Sequence, residues 1–246
     1  MPKYSVILAA AGRSSRFNDP NQKKPFVMLN RKAVWLHSAD LFLKRTDVKQ
    51  IIIVIAPEDK EEFLANFGPN IAVLGVEVVL GGAERADSVQ NALNKVDPDC
   101  DYVAIHDAAR PCINWDLVES LFQASQENKV VIPAIPVSST LKRSASGTLV
   151  DETVDRSNLY MAQTPQVFER ETLMTLYENR GDAQPTDEAQ LAELHNIPVT
   201  LVPGSALNIK ITTREDLRFA KACLAAMPTP KFDAPIHPFA DDNLFR

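Results

Sequence analysis

The sequence predicts an α/β protein built on a doubly wound, mainly parallel sheet of the Rossmann-like kind. Short runs rich in Val and Ile alternate along the chain with helix-like segments, which is the pattern of consecutive βαβ units. The runs are apolar on both of their alternating faces, as expected for strands that helices cover on both sides. The 246 residues are enough to bury a substantial core in one domain.

The elements follow in order. Strands are predicted at residues 6–10, 50–56, 76–80, 102–106 and 130–134, and helices at 33–44, 58–67, 86–94 and 115–128. After residue 160 the alternation resumes with helices at 171–179 and 187–194 and a strand at 199–202. Because ligands of such sheets bind beyond the carboxyl ends of the strands, the functional residues are expected in the loops that follow them.

Two segments depart from this alternation. Residues 137–160 place a polar turn, Ser144 to Gly147, between stretches of mixed polar and β-branched residues, which predicts a β-hairpin arm that projects from the core. Four prolines between residues 228 and 238 exclude a regular helix there. A last helix begins near Thr213, which forms a capping box with Asp216. We therefore expect one domain over 1–228, with an arm at about 137–160, and a Pro-rich tail over 229–246.

Composition limits the classes of partner. The 26 Lys and Arg are outnumbered by 32 Asp and Glu, for a formal net charge of -6, which disfavours a general nucleic-acid binder but not a small anionic substrate. Three cysteines without metal-ligand spacing indicate a reducing compartment. The apolar run at the N-terminus is too short for a signal or membrane span. The expectation is a soluble cytoplasmic protein that binds neither nucleic acid nor membrane.

The first 30 residues carry a phosphate-binding pattern. A buried strand ends in Ala10, Ala11 and Gly12, and Arg16 and Lys24 follow. Small residues let backbone N–H groups approach an anion, and the two cations add full charges, although such side chains are also often merely solvated. The pattern matches neither the P-loop signature nor the G-x-G-x-x-G of dinucleotide folds.

A second glycine-containing turn follows the strand that ends at residue 80. Gly81 and Gly82 permit a tight turn and close approach to a ligand, and Ser88 is able to donate a hydrogen bond. A plain strand-to-helix turn explains the same residues equally well.

The segment from His106 to Pro111 is more specific. It places Asp107 at the end of an apolar strand, three residues before Arg110. The carboxylate suits Mg²⁺ or a sugar hydroxyl, and an internal Asp107–Arg110 ion pair is the structural alternative, compatible with either role. His106 is expected to be a packed, orienting residue rather than a metal ligand.

Taken in order, these motifs resemble the 2-C-methyl-D-erythritol 4-phosphate cytidylyltransferase family. The resemblance extends over nearly all of residues 4–227 and also includes Thr153 to Arg156, Gln163 to Gln166, Thr186 to Glu188 and Asn208 to Lys210. It implies a nucleotidyltransferase-like fold and transfer of a cytidylyl group from CTP to a polyol phosphate, with Mg²⁺ or another divalent cation as cofactor. It also implies a homodimer in which the arm is exchanged, so that Arg156 serves the neighbouring active site.

The resemblance assigns roles to individual residues. Arg16 and Lys24 match the catalytic cations, with Lys23 as the alternative to Lys24. The residues matched to CTP binding are Ala10, Ala11, Gly12, Gly82, Ser88, Asp107, Ala108 and Thr164. Those matched to the polyol phosphate are Arg156, Thr186 and Lys210, and Asp107 is the candidate metal ligand. Thr186 is also a candidate helix N-cap, and Arg156 and Lys210 are also compatible with plain surface cations.

Several features leave alternatives open. Ser14 stands where the family usually has a second glycine, and Leu207 stands where an acidic residue is frequent. Ribitol-5-phosphate cytidylyltransferases share the nucleotide site, so the residues alone do not separate the two polyols. A catalytically silent nucleotide-binding protein is the alternative from a different class.

Overall fold

The structure is a computed structural model that describes residues 1–12 and 24–227, with only the backbone of residue 24. Within these ranges the strands are β1 (Tyr4–Ala9), β2 (Met28–Leu29), β3 (Lys32–Ala33), β4 (Val48–Ile55), β5 (Glu77–Leu80), β6 (Tyr102–Asp107), β7 (Val130–Pro136), β8 (Leu141–Arg143), β9 (Glu152–Val154), β10 (Tyr160–Ala162), β11 (Gln166–Glu169) and β12 (Thr200–Pro203). The α-helices are α1 (Val34–Leu43), α2 (Lys60–Leu74), α3 (Arg85–Leu93), α4 (Trp115–Ser125), α5 (Arg170–Glu178), α6 (Glu188–Leu194) and α7 (Arg214–Ala226).

The main sheet has the order β5-β4-β1-β6-β11-β7-β12, and β10 continues the line of β11 along β7. The pairs β4-β5, β1-β4, β1-β6 and β7-β12 are parallel. β11 is antiparallel to both of its neighbours, so β6 and β7 run in the same direction on either side of it. The predicted mainly parallel sheet is confirmed.

Helices cover both faces of this sheet. On β1, Val6 and Leu8 pack into the cluster that contains the apolar residues of α1, α2 and α4. Ile7, which points to the opposite face, packs with α3, α5 and α6. Because both faces are covered, the strands are apolar throughout, which is the pattern that predicted a doubly wound fold.

The second helix is longer than predicted. A short 3₁₀ turn over Pro57–Asp59 precedes α2, which continues to Leu74 instead of stopping at residue 67. Pro69 lies inside this helix, yet Phe67 before it and Ile71 and Leu74 after it all pack in or against the core. Tertiary packing thus outweighs the weak helix propensity of the Gly68-Pro69 pair.

The predicted hairpin is present. β8 and β9 pair antiparallel, with Leu141 opposite Val154 and Arg143 opposite Glu152. Its side chains are largely exposed, and the arm rejoins the sheet where the Val137 N–H donates to the Leu159 carbonyl at 3.0 Å. The arm is therefore an excursion between β7 and β10.

The sequence did not predict β11. This four-residue strand follows Pro165 and turns the chain back between β6 and β7. Among the residues the structure describes, no helix combines the length and apolar character needed to cross a membrane.

Candidate active site

A cavity of about 700 Å³ opens at the carboxyl edge of the sheet. Its walls come from the segments that follow β1, β4, β5 and β6, which include Ala10, Ala11, Gly12, Pro57, Gly81, Gly82, Arg85, Ser88, Asp107 and Ala109. Lys210 and Ile211, from the loop before α7, close one side. The cavity lies where the ends of parallel strands were expected to gather ligand-binding residues.

The two turns predicted to bind phosphate or nucleotide meet in this cavity. The Gly81 N–H donates to the Ile55 carbonyl at 2.8 Å, and the Ala10 N–H donates to Val54 at 2.9 Å, so both turns are tied to β4. The Gly82 N–H donates to Ser88 Oγ at 3.1 Å, and that hydroxyl donates to the Glu84 carbonyl at 3.0 Å. Ser88 thus holds the turn and lines the cavity.

Glycine is required at both positions of the second turn. A Cβ on Gly81 would lie 2.6 Å from Ser88 Oγ and 2.8 Å from the Ala11 Cβ. A Cβ on Gly82 would lie 2.5 Å from the Asp87 Cβ. The absence of side chains therefore lets this turn pack against both the N-terminal turn and α3.

Asp107 lies at the centre of the polar wall. Its Oδ2 atom is 2.8 Å from the Lys210 ammonium and 3.4 Å from Arg110 Nε. Burial opposes ionisation of the carboxyl, but the positive charges of Lys210, Arg85 and Arg110 outweigh it and hold the Asp107 pKa well below its usual range. The site therefore presents an ionised carboxylate beneath several cations.

His106 and Thr164 support Asp107 from behind. Thr164 Oγ1 accepts the Asp107 N–H at 3.0 Å and lies 3.1 Å from His106 Nδ1. The other ring nitrogen of His106 lies 3.1 Å from the Arg110 carbonyl and 3.2 Å from Ser38 Oγ. Burial lowers the His106 pKa to about 4. The packed position predicted for His106 is confirmed, and its contact with Thr164 is consistent with the orienting role expected for it.

Lys210 is held in place by the loop that carries it. Arg110 Nη1 donates to the Asn208 carbonyl at 2.8 Å, and the Ile211 N–H donates to the Ala109 carbonyl at 2.8 Å. The Asn208 side chain donates to the Thr164 carbonyl at 2.8 Å. These bonds join the loops after β6, before β11 and before α7.

Some residues matched to CTP or to the polyol phosphate do not line the cavity. Ala108 is fully buried in the core, although its neighbours Asp107 and Ala109 line the wall. Thr164 acts on Asp107 from beneath. Thr186 is exposed and bonded to Gln190, and the N-cap of α6 is Asp187 rather than Thr186.

The predicted cations divide into three cases. Lys210 lines the cavity. Arg156 lies on the exposed arm, where its guanidinium donates to the Ser138 carbonyl, and it does not line the cavity within one chain. Arg16 and Ser14, the side chain of Lys24 and the tail beyond residue 227 lie outside the described residues.

Sequence reasoning missed one ion pair at the cavity wall, between the half-buried Arg85 and the buried Glu188. Arg85 donates two hydrogen bonds to Glu188, at 2.5 and 2.9 Å, and Tyr177 donates to the same carboxylate at 3.1 Å. Both charged residues lie within motifs that had been singled out, Gly81 to Ser88 and Thr186 to Glu188. Neither residue carries a signal of its own in the sequence, apart from its charge at the start of a predicted helix.

The Asp107 carboxylate suits a divalent ion whose other ligands come largely from the substrate. No group of three or more potential His, Cys, Asp or Glu ligands occurs within residues 1–12 and 24–227, so the described chain builds no metal cage. Mg²⁺ typically takes one or two carboxylates together with substrate phosphates. Asp107, held ionised on the cavity wall, is a donor of the required kind.

Comparison with known proteins identifies the family. Residues 4–226 match the profile of 2-C-methyl-D-erythritol 4-phosphate cytidylyltransferase. The protein of that name from Clostridioides difficile is 38% identical over 224 residues, which cover 90% of this chain and 93% of the relative. The one from Rhodopirellula baltica is 39% identical over 231 residues, covering 89% and 94%.

The fold agrees with solved structures. The 4-diphosphocytidyl-2C-methyl-D-erythritol synthase from Anaerococcus prevotii superposes with a TM-score of 0.75 at 29% identity, over 91% of this chain and 96% of that one. The Thermus thermophilus 2-C-methyl-D-erythritol 4-phosphate cytidylyltransferase gives a TM-score of 0.73 at 27% identity, over 92% and 100%. The sequence and the fold agree over the same domain, and the chain belongs to the 2-C-methyl-D-erythritol 4-phosphate cytidylyltransferase family.

Proposed function

We propose that this chain joins the cytidylyl group of CTP to 2-C-methyl-D-erythritol 4-phosphate, giving 4-CDP-2-C-methyl-D-erythritol and pyrophosphate, a step of isoprenoid precursor biosynthesis. The family match over residues 4–226 supports this activity. The observation that carries the proposal is the Asp107–Lys210 contact on the cavity wall, which joins the segment matched to CTP to a cation matched to the acceptor phosphate.

The small-residue turns form the nucleotide side of the site. Ala10, Ala11, Gly12 and Gly82 leave room for the base and sugar close to the backbone, and Ser88 offers a hydroxyl beside them. Backbone N–H groups in such turns suit phosphate oxygens. Arg16 and Lys24 follow the N-terminal turn in sequence and would add the positive charge that a triphosphate needs.

The cations near the other end of the cavity form the acceptor side. Lys210 has a side chain that is 43% exposed, so its ammonium is able to meet a substrate phosphate while Asp107 holds it. Arg156 would join it from the arm of a partner subunit, and Thr186 would contribute from the segment before α6. The acceptor phosphate is thereby directed toward the α-phosphorus of CTP.

The reaction requires orientation and charge more than proton transfer. An oxygen of the acceptor phosphate forms a bond to the α-phosphorus, and the bond from that phosphorus to the bridging oxygen of the β-phosphate breaks, releasing pyrophosphate. The attacking oxygen is already ionised, so no general base is needed. Arg16, Lys24 and Lys210 stabilise the negative charge as the two anions approach each other. A bound Mg²⁺, with Asp107 as its protein ligand, would supply further charge neutralisation on the triphosphate.

We further propose a homodimer in the reducing cytoplasm. The arm exposes Leu149, Val150 and Tyr160, with relative exposures of 73%, 61% and 53%, which are apolar contacts a partner subunit would cover. Cys100, Cys112 and Cys223 are all free thiols, as expected in a reducing compartment.

The decisive test is pyrophosphate release from CTP and Mg²⁺ with methylerythritol phosphate or ribitol phosphate as acceptor. The proposal expects turnover with methylerythritol phosphate and much less with ribitol phosphate. A preference for ribitol phosphate would show that ribitol phosphate, and not methylerythritol phosphate, is the acceptor. CTP binding without pyrophosphate release from either polyol would instead favour a silent nucleotide-binding protein.

A further inference from the structure

The Arg85–Glu188 ion pair joins the two halves of the proposed site. Arg85 is the first residue of α3, directly after the turn that would hold CTP, and it lines the cavity. Glu188 is the first residue of α6, two residues beyond Thr186. The pair therefore connects the nucleotide turn to the segment that leads to the acceptor.

Three hydrogen bonds hold the Glu188 carboxylate in place. It is fully buried, accepts both hydrogen bonds of the Arg85 guanidinium, and accepts a third from Tyr177. Such a two-point contact fixes the orientation of both partners as well as their distance. Burial disfavours the charged guanidinium, but the Glu188 carboxylate beside it prevails and raises the Arg85 pKa, so the guanidinium stays charged.

Two further sets of contacts hold the starts of α3 and α6, but neither set links these two helices to each other. The side-chain amide of Gln166 ties the start of α6 to β11. Its Nε2 donates to Asp187 Oδ2 at 2.8 Å, and its Oε1 accepts the Ala189 N–H at 3.1 Å. Arg180 donates to Asp87 Oδ1 at 2.7 Å on the next part of α3. The start of α6 is thus anchored to the sheet, and Arg85 aligns it with α3.

We propose that Arg85 is a positioning residue for the acceptor: paired with Glu188, it fixes residues 186–188 relative to the nucleotide turn. The inference rests on the proposed function, because it concerns how the acceptor is placed. A loosened pair would leave the CTP cradle assembled while the acceptor phosphate loses its alignment. The expected signature is a selective rise in the KM of methylerythritol phosphate.

Two variants test this selectively. Glu188→Gln keeps the side-chain shape but removes the charge that orients Arg85. The double variant Arg85→Met, Glu188→Leu removes both charges together and leaves no charge without its partner, a replacement that often preserves stability. In each we expect the KM of methylerythritol phosphate to rise by about tenfold, with the KM of CTP within about twofold of the wild-type value.

A matched control separates positioning from general destabilisation. Arg45 also forms a two-point ion pair, with Asp47 at 2.8 and 2.6 Å, and it lines no part of the cavity. Arg45→Met should lower the melting temperature without changing either KM. Calorimetric titration of the acceptor into each variant, saturated with a non-hydrolysable CTP analogue, should report the same loss of acceptor affinity.

The outcomes are distinct. A wild-type chain that turns over neither polyol phosphate removes the proposed function and this inference with it. An active wild type together with an unchanged acceptor KM in the folded double variant overturns the positioning role alone. Equal increases in the KM values of CTP and the acceptor, or an acceptor KM raised equally by Arg45→Met, would show that the Arg85–Glu188 pair has only a structural role.

Discussion

The Lys210 ammonium lies 2.8 Å from Asp107 Oδ2, which joins the loop before α7 to the carboxyl end of β6. The carboxylate is buried, whereas the lysine side chain is 43% exposed. Asp107 therefore holds the Lys210 ammonium in place, while the ammonium stays accessible from the cavity. A substrate phosphate would meet a charge already oriented, so little reorganisation is needed on binding.

Replacing Lys210 tests this arrangement. Lys210→Ala should raise the KM of methylerythritol phosphate by about 10- to 100-fold, because a charge-assisted hydrogen bond to the phosphate is lost. Initial rates at saturating CTP measure the effect. Lys210→Arg retains the charge and should lose less. An acceptor KM within twofold of the wild type in Lys210→Ala would exclude the residue from the phosphate site.

The cations after the N-terminal turn should act on the chemical step. Arg16→Ala and Lys24→Ala are each expected to lower kcat by about 10²-fold or more, because each removes positive charge that stabilises the transition state. Single-turnover pyrophosphate release measures this step. Arg13, a cation of the same segment to which no catalytic role is assigned, supplies the control, and Arg13→Ala should leave kcat unchanged. An equal loss in all three variants would argue for a nonspecific charge effect.

Mixed dimers test whether the arm completes a neighbouring site. A dimer of Lys24→Ala and Arg156→Ala subunits would contain one doubly altered and one intact site if Arg156 acts across the interface. Random mixing should therefore restore about a quarter of wild-type activity from two inactive parents. The fraction of hybrid dimers is measured by native mass spectrometry. Abundant hybrids without recovered activity would contradict arm exchange.

Burial of His106 predicts a stability that depends on pH. The unfolded chain takes up a proton near pH 6.5, whereas burial lowers the pKa of folded His106 to about 4, so acid favours the unfolded state. The free energy of unfolding should fall by about 3 kcal/mol between pH 6.5 and pH 4.

Urea unfolding at several pH values above 4.5 measures this slope. His106→Gln should flatten it even where the variant is less stable overall. Replacing the exposed His195 by Gln should leave it unchanged. An identical slope in wild type and His106→Gln would assign the pH dependence to other groups.

The nucleotide turn should not tolerate a Cβ. Gly82→Ala places one 2.5 Å from the Asp87 Cβ, so we expect a loss of about 1–3 kcal/mol in stability and a raised KM for CTP. Gly68→Ala is the control in α2, where the added carbon meets no atom within 4 Å other than those of its chain neighbours and of the helix's own backbone. Because Gly68 lies outside the cavity, this variant should leave the KM of CTP unchanged whatever its effect on stability. Melting curves and CTP titrations distinguish the two.

Sequence patterns predicted the parallel part of the fold well because local apolar runs and helix caps determine it. The capping box at Thr213 forms as predicted, and Asp216 Oδ2 accepts the Thr213 N–H at 2.8 Å. The strand β11 was missed because four residues after a proline carry little local signal, and their place depends on pairing with β6 and β7.

The motifs likewise predicted which residues belong to the site better than they predicted the contacts among those residues. An Asp107–Arg110 ion pair was one of the alternatives for this segment, and it forms, yet the shorter contact of Asp107 is with Lys210 from a distant loop. Arg85 and Glu188 escaped notice because neither is distinctive alone, and only the folded chain brings them together. Tertiary partners of this kind have no signature at fixed spacing.

The way the arm leaves and rejoins the sheet allows its tip to change independently of the cavity. Pro136 of β7 pairs with Tyr160 of β10, so the two ends of the arm are fastened side by side whatever lies between them. Insertions or deletions at the tip between Ser144 and Val150 would alter the reach of the hairpin without shifting the register of β7. Changes at this tip would thus alter the surface proposed to contact a partner subunit while leaving the cavity wall in place.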